Sequence, residues 1–543
     1  MFGSRTIRQN LLLLLLVAAV IPYFVNLGVS SIWDANEAFY AQTPREMIDA
    51  HDYVTPSFNF QLRMNKPVLS YWEVAASYRL FGVSEWSERL PIAIGGVVLI
   101  AATFGLGYLM GGNTAGLLAA LVLASSPRVL LLARRIIIDV HITMFLALIL
   151  LFFALAEVRP ARRRVYLCLM YMAAGFGVLM KGPIAVFIPA AVFLLYLISQ
   201  NRLRDIRGMM IPAGAIISLA IVVPWYYLLY REHGFEYIRS FVIGENLGRY
   251  VDTVGEQSRG MFFYLPVMMA DLFPWTLLLP LALWWGFRES ARSRVARLLL
   301  VWIVVIVVFF SMSSTKEDLY ILPIVPAAAA LVGAMLAKAI EDASIAVPVR
   351  WFTIAGTVAL LVTGAATLWF FAVARRYSLD GAEVVGGIAV IGALAALVTA
   401  WRRDLFAAAA TMAASLVVIG WCIVLCCLPA FERYKPVRPF AEIIRSRASV
   451  GAIVGSYKFA LPSMVYYLHR PIMEVVIPEH LRAVFYSSSD VYFVMPEKEY
   501  TIIKERLPVA TYVLARQQLF DLKPINFIEG SELPQFVLVS NRE

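Results

Sequence analysis

Charge is scarce in this 543-residue chain: Asp, Glu, Lys and Arg together make up 15% of it, well below the roughly 25% of a soluble domain. With hydrophobic residues at 61%, that scarcity excludes an ordinary water-soluble globule and points to a polytopic membrane protein. Cysteine is sparse as well. Cys168, Cys422, Cys426 and Cys427 all fall inside apolar runs, which excludes a disulfide framework and a spaced metal-ligand set and leaves them as lipid-facing or packing residues. The histidines, His51, His141, His233, His469 and His480, share no metal spacing. There is no internal repeat and no low-complexity linker. Nucleic acid is excluded as a partner because the net charge of +10 resides in short Arg-rich connectors, with no basic face or aromatic platform beside it.

What the chain does have is apolar runs. The first, Leu11 to about Gly28, follows Arg5 and Arg8; it is longer than the apolar core of a signal peptide and lacks a small-residue cleavage site, so it is expected to be an uncleaved span with a cytoplasmic N-terminus. Others recur at about 91–110, 112–127, 137–157, 165–180, 183–199, 209–230, 263–286, 296–312, 319–339, 350–374, 384–401 and 404–428, about thirteen spans in all. The strongly basic connectors, Arg159 to Arg164, Arg202 to Arg207, Arg288 to Arg297 and Arg402–Arg403, then all fall on the cytoplasmic side, as the positive-inside preference demands. An odd count puts the C-terminus outside. From residue 429 to 543 the apolar runs shorten: 450–456, 490–495 and 536–540 read as buried strands, and 440–447, 461–469 and 497–506 as helices, so a small α/β domain is expected after a transmembrane domain of residues 1–428.

The longest polar interruption in the first two hundred residues runs from Trp33 to Trp72, in a first outer loop of residues 29–90. It carries Asp34, Glu37, Arg45, Glu46, Asp49, Asp52, Arg63 and Lys66, and its segments 36–50 and 67–81 have apolar residues at the spacing of interfacial helices. Glu46, Asp49, Asp52, Glu73, Glu85 and Glu88 are expected on the solvated faces of such helices. Further ionisable groups are expected at the same depth: Arg134, Arg135 and Asp139, then Lys181 between two apolar helices, then Glu245 and Arg249, then Lys316. Charges beside spanning helices are costly and are kept for function or for a buried pair; for Asp139, a structural bridge to Arg134 or Arg135 is the competing expectation. Carboxylates and cations converging on one face suit a reaction in which a base deprotonates a nucleophile while cations hold an anionic leaving group, with phosphate the obvious anion.

At these residues the sequence resembles the GT-C membrane glycosyltransferases, in the branch that holds the lipid A aminoarabinose transferase and the protein O-mannosyltransferases. The matching pieces are NEAFYAQTPREM, DYVTPSFNFQLRMNKPVLSYW, ARRIIIDVHITMF, GVLMKGP, PWYYLLY with FVIGENLGRY, YLPVMMADLFPWTLLLP and SMSSTKEDLYILPIVPAAA, in family order over about the first 330 residues. The resemblance implies thirteen transmembrane helices with a periplasmic α/β domain, in the bacterial inner membrane. It also implies transfer of a sugar from a polyprenyl (undecaprenyl) phosphate donor to a lipid acceptor such as lipid A or another glycolipid, or to a protein, at the periplasmic face; if the transfer is a single direct displacement at the anomeric carbon, inversion is expected. It assigns Lys66, Arg249, Lys181 and Tyr320 to the donor phosphate and Asp139 to the acidic position opening the helix after the second outer loop. The family's first-loop Asp-Glu pair reads Asn36-Glu37 here, and an amide cannot act as a base. That role therefore falls to Glu37, Asp34 or Asp139, the first two favoured jointly. Asn65 and Phe39 also replace a carboxylate and an arginine of the aminoarabinose transferase, which leaves sugar and acceptor open; no cofactor is implied with certainty, and a divalent metal is possible. The rival readings are a flippase for a polyprenyl-linked sugar and a silent binder of it.

Overall fold

The computed structural model describes residues 2–34, 36–63, 65–239, 241, 244, 259–374, 378–519 and 534–543. The first helix, α1 (Phe2–Val20), is followed by the two short helices expected in the first loop, α2 (Asn36–Asp49) and α3 (Leu69–Phe81), with a small hairpin, β1 (Ser57–Phe58) and β2 (Gln61–Leu62), between them. Next come α4 (Glu85–Ala124), α5 (Pro127–Leu132), α6 (Ile138–Val158), α7 (Arg163–Lys181), α8 (Ile184–Ile198) and α9 (Ile211–Arg239). Among the described residues ten helices are long and apolar enough to cross a membrane, or eleven if the pair Met261–Asp271 and Trp275–Glu289, bent by 116°, is one span. The expectation of thirteen counts two more passages. One is α8, with 15 residues. The other arises because α4 folds back on itself: Gly111 and Gly112 leave helical geometry, Gly112 at φ 72°, and Gly107 and Gly116 then lie against Ala115 and Phe104 of the opposite arm. A side chain at a positive φ is strained, so glycine permits this reversal.

The returning arm of α4 packs on the helix Val325–Glu341, and both are buried along nearly their whole length. Small side chains allow this approach. A methyl group added at Gly333 would land on the Ala119 backbone, whereas one at Gly387 would meet nothing. Gly333→Ala is therefore expected to lower stability by about 1–3 kcal/mol through overpacking, with Gly387→Ala near neutral, as read from thermal unfolding in detergent. Around this core, residues such as Phe187, Ile216, Val362 and Ile391 are exposed, an apolar surface of the kind a bilayer covers.

Three of the four basic connectors meet at one end of the bundle. Buried Glu157 accepts from Arg202 (2.6 Å), Arg163 (3.4 Å) and the Tyr196 hydroxyl (3.2 Å), and Arg297 donates to the Ser199 carbonyl (3.1 Å). The first loop, the start of α6 and the end of α7 lie at the other end.

The C-terminal sheet sits at that other end too. It comprises β3 (Ile453–Tyr457), β4 (Met473–Val475), β5 (Val491–Pro496), β6 (Tyr512–Gln518) and β7 (Gln535–Ser540), in the order β4-β3-β5-β7-β6, with β3 parallel to β4 and β5, and β7 antiparallel to β5 and β6. Both faces are covered: Tyr492, Val494, Phe536 and Leu538 pack on the helix Val437–Arg447 and its neighbours, while Phe493, Met495, Val537 and Val539 face Leu481, Phe485 and Ile503. Burial on both sides accounts for the unbroken apolar run of β5. The short edge strand β4 and the polar strand β6 are elements the pattern of apolar residues does not announce.

Candidate functional site

The site starts from a buried ion pair. Glu37, in the first turn of α2, and Arg89, in the first turns of α4, are each 2% exposed. Arg89 forks onto both carboxylate oxygens, Nε to Oε1 at 2.7 Å and Nη2 to Oε2 at 2.9 Å, and the Trp33 N–H donates to Oε2 at 2.8 Å. The remaining guanidinium protons go to the carbonyls of Leu27 (2.8 Å), Ser30 (2.6 Å) and Ser31 (3.1 Å). Burial would raise the Glu37 pKa, but Arg89, with Lys435 behind it, holds it below the usual carboxylate value. Against the expectation of a base, Glu37 is a locked acceptor, closed to solvent, that fixes the chain from Leu27 to Trp33.

That chain presents Trp33 and Asp34. The Trp33 ring is stacked on Phe431 (centroids 5.2 Å apart) and carries the Arg135 guanidinium at 3.9 Å and Lys435 Nζ at 4.0 Å, contacts in which cations sit against the negative ring face. Lys435 also donates to Ser30 Oγ (3.0 Å) and to the Ser31 carbonyl. Burial pushes its pKa down to about 8, with Glu432 and Glu37 opposing. Asp34 is exposed. Its two oxygens accept from Ser463, Oδ1 from the N–H at 2.6 Å and Oδ2 from the hydroxyl at 2.8 Å. Solvent reaches this carboxylate, yet the protein packed around it strips part of its hydration and lifts its pKa to about 6, the Ser463 bonds and Lys435 pulling the other way.

Asp139, Lys181 and Tyr320 come together. Asp139 opens α6 and Lys181 closes α7, each on the helix end where its charge is favoured; because the two helices run antiparallel, the ends meet, and Lys181 Nζ donates to Asp139 Oδ1. Gly182, at φ 93°, turns the chain sharply after the lysine and into α8. Lys181 also lies 5.2 Å from the Tyr320 ring centroid, on the turn Asp318–Ile324, and Phe310 packs behind that ring at 5.2 Å. The expected alternative, a bridge from Asp139 to Arg134 or Arg135, is not what forms. Arg134 is buried and donates to the carbonyls of Pro22, Val25 and Asn26, tying down the chain after α1, while Arg135 goes to Trp33.

Lys66 is half-buried in the loop that leads into α3. That helix packs on α7 and reaches α6 through Glu73, whose carboxylate is 3.3 Å from His141 Nε2, so the Lys66 loop is carried on an element braced against both helices that supply Asp139 and Lys181. Tyr237 of α9 donates to the Arg63 carbonyl (2.7 Å), and Arg63 lies over the Phe39 ring at 3.7 Å. Lys316 donates to the Ser313 carbonyl at 2.7 Å. Arg249 and Glu245 lie outside the described residues.

Two carboxylates expected on solvated faces are buried instead. Glu46 accepts from Gln42 (3.0 Å), Ser57 (2.7 Å) and the Phe60 N–H (3.1 Å), which fastens the β1–β2 hairpin to α2. Glu88 is buried beside Arg89, 3.7 Å from its Nε. Among the described residues no three His, Cys, Asp or Glu side chains gather closely enough to hold a metal ion. Arg89, Lys435 and Ser463 contact the candidate residues without having been singled out from the sequence; Arg89, heading an apolar run, is the one that carried a signal.

The family described as dolichyl-phosphate-mannose-protein mannosyltransferase matches residues 65–228. The chain is 31% identical, over 418 residues, to an undecaprenyl phosphate-alpha-4-amino-4-deoxy-L-arabinose arabinosyl transferase of Pseudomonas paraeruginosa, an alignment covering 75% of this chain and 74% of the relative. An uncharacterized protein of Aquifex aeolicus is 30% identical over 318 residues, 58% of this chain and 62% of that one. The fold is that of the crystal structure of ArnT from Cupriavidus metallidurans bound to undecaprenyl phosphate, with a TM-score of 0.79 at 22% identity and 97% of each chain covered.

Proposed function

The chain belongs to the family of undecaprenyl phosphate-alpha-4-amino-4-deoxy-L-arabinose arabinosyl transferases, and from that premise we propose that it moves a sugar from undecaprenyl phosphate to lipid A or a closely similar glycolipid. It is a multi-pass membrane glycosyltransferase of the GT-C type that uses a polyprenyl phosphate sugar. The observation that supports this reading best is the gathering of Asp139, Lys181 and Tyr320 at the bundle end to which α3 also brings the Lys66 loop. Cations at that position are poised for a phosphate that gains charge as its bond to the sugar breaks.

In the proposed step, an oxygen of the acceptor attacks the anomeric carbon while the bond from that carbon to the phosphate oxygen breaks. Asp34 takes the acceptor's proton, Lys66 and Lys181 hold the departing undecaprenyl phosphate, and Arg249 joins them. Asp139 keeps Lys181 in place, and Tyr320 lines the lysine. Glu37 positions the Trp33–Asp34 segment through Arg89. A single displacement inverts the anomeric centre, and the site and sheet face the periplasm.

The test is sugar transfer in proteoliposomes, with a panel of undecaprenyl phosphate sugars that includes 4-amino-4-deoxy-L-arabinose and with lipid A as acceptor. Donor-dependent formation of glycosylated lipid A with an inverted linkage is expected. Movement of the donor across the bilayer with no product would indicate a flippase and overturn the proposal; a retained anomeric configuration would overturn the single displacement.

A further inference from the structure

We infer that Ser463, in the C-terminal sheet region, is a positioning residue for the transfer reaction, and that through it the sheet region is a working part of the active site. The inference rests on the assignment of Asp34 as proton acceptor proposed above. Ser463 is fully buried and opens the short helix Ser463–Leu468, yet it is bonded to a residue 429 positions away in the chain. Its backbone N–H takes one oxygen of Asp34 and its hydroxyl takes the other, at 2.6 and 2.8 Å. A carboxylate oxygen offers about two lone-pair directions, so each oxygen held by Ser463 keeps one for the acceptor's proton.

The choice of a neutral partner matters. Among the described residues Asp34 forms no ion pair, whereas Glu37 is forked by Arg89 and Asp139 is bridged by Lys181. An arginine on Asp34 would hold its pKa low and weaken it as a base; two hydrogen bonds from a serine fix its orientation and favour the anion more gently. The charged groups facing it are Glu37 from α2 and Lys435 from the segment after the last long apolar helix, with Arg135 and Lys435 on the neighbouring Trp33 ring.

The same end of the sheet region grips the rest of the Ser30–Trp33 stretch. Glu432 accepts from Ser30 Oγ (3.0 Å) and the Ser31 N–H (2.9 Å), and the Tyr467 hydroxyl accepts from the Ile32 N–H (2.8 Å) while donating to Glu85 (3.0 Å). Farther along the first loop, Asn59 exchanges two hydrogen bonds with the Ile472 backbone, at 2.9 and 2.8 Å. Asp34 thus receives its bonds from a body that is itself registered on the first loop at several points, which is what holding a carboxylate in one orientation requires.

The experiment is the pH profile of kcat/KM for Ser463→Ala and Ser463→Thr in the full-length protein in nanodiscs, using the donor that gives turnover, with Asp34→Asn alongside. The position of a pH limb does not depend on how much of a preparation is folded. Loss of one hydrogen bond to the anion raises the pKa of the base, so the acid limb is expected to move up by about one pH unit in Ser463→Ala and to stay in place in Ser463→Thr. An acid limb that Asp34→Asn abolishes but Ser463→Ala does not move overturns the inference and spares the assignment of Asp34. A limb that survives Asp34→Asn overturns that assignment and the inference with it. Infrared difference titration gives a reading without turnover: the carboxyl band missing in Asp34→Asn is expected to titrate higher in Ser463→Ala, and an unmoved band overturns the inference.

Discussion

Arg89→Leu is expected to lower the unfolding free energy by about 3–5 kcal/mol, the cost of leaving a buried charge without its partner. Glu37 would remain at a position 2% exposed with only the Trp33 N–H donating to it, and the carbonyls of Leu27, Ser30 and Ser31 would lose the donors that Arg89 supplies. Lysine is not a substitute, because one ammonium cannot fork onto a carboxylate and reach three carbonyls at once; Arg89→Lys is expected to recover only a minority of the loss. The double variant Arg89→Leu/Glu37→Leu removes the uncompensated charge and is expected to be more stable than Arg89→Leu alone, although the three carbonyls still go unmet. Thermal unfolding in detergent across this cycle gives the coupling between the two residues. A single variant within about 1 kcal/mol of the parent, the scale of an exposed pair, would mean that the pair is reached by water and cannot be what fixes the Trp33–Asp34 segment.

How much of this was legible beforehand depends on how far apart the contributing residues are in the chain. The helices α2 and α3 follow from the spacing of their apolar residues, and β3, β5 and β7 follow from short unbroken apolar runs, because in both cases the burying pattern is local. The meeting of Asp139 with Lys181 and Tyr320 was half legible. Each residue stands out as a polar group at an apolar helix end, but which cation Asp139 takes depends on the antiparallel packing of α6 and α7, and the neighbouring Arg134 and Arg135 are drawn away to backbone carbonyls and to Trp33. Glu46 and Glu88 read as solvated because the hairpin that covers the first and the packing that closes over the second are not written next to them. Ser463 and Lys435 were invisible for the same reason in its strongest form: they reach Asp34 and Trp33 from some four hundred positions away, and a serine in LPSMVYYL has no pattern that distinguishes it from any helix-opening serine.

The larger functional effect is expected from Asp34→Asn, with kcat/KM falling by about 10²–10⁴, the range that a positioned general base contributes. The amide has nearly the shape of the carboxylate and can still accept from the Ser463 N–H, so the segment keeps its place and the loss is one of basicity. In the parent the rate is expected to fall as pH drops below about 6, where the Asp34 carboxyl takes up a proton; in Asp34→Asn that dependence disappears, since nothing remains to titrate. The other two carboxylates predict different signatures. Glu37 has both oxygens committed and is closed to solvent, so Glu37→Gln is expected to lower stability and, by removing a negative charge that raises the Asp34 pKa, to move the acid limb slightly down without abolishing it. Asp139 is bridged to Lys181, so Asp139→Asn frees a cation that the donor phosphate needs held, and its expected effect is a raised KM for the donor. Measured side by side, the three profiles separate a base from a lock and from a bridge. A residual rate within about tenfold of the parent in Asp34→Asn, short of the factor expected of a base, with its acid limb intact, would move the proton acceptor to Asp139, the remaining carboxylate that is not sealed from solvent.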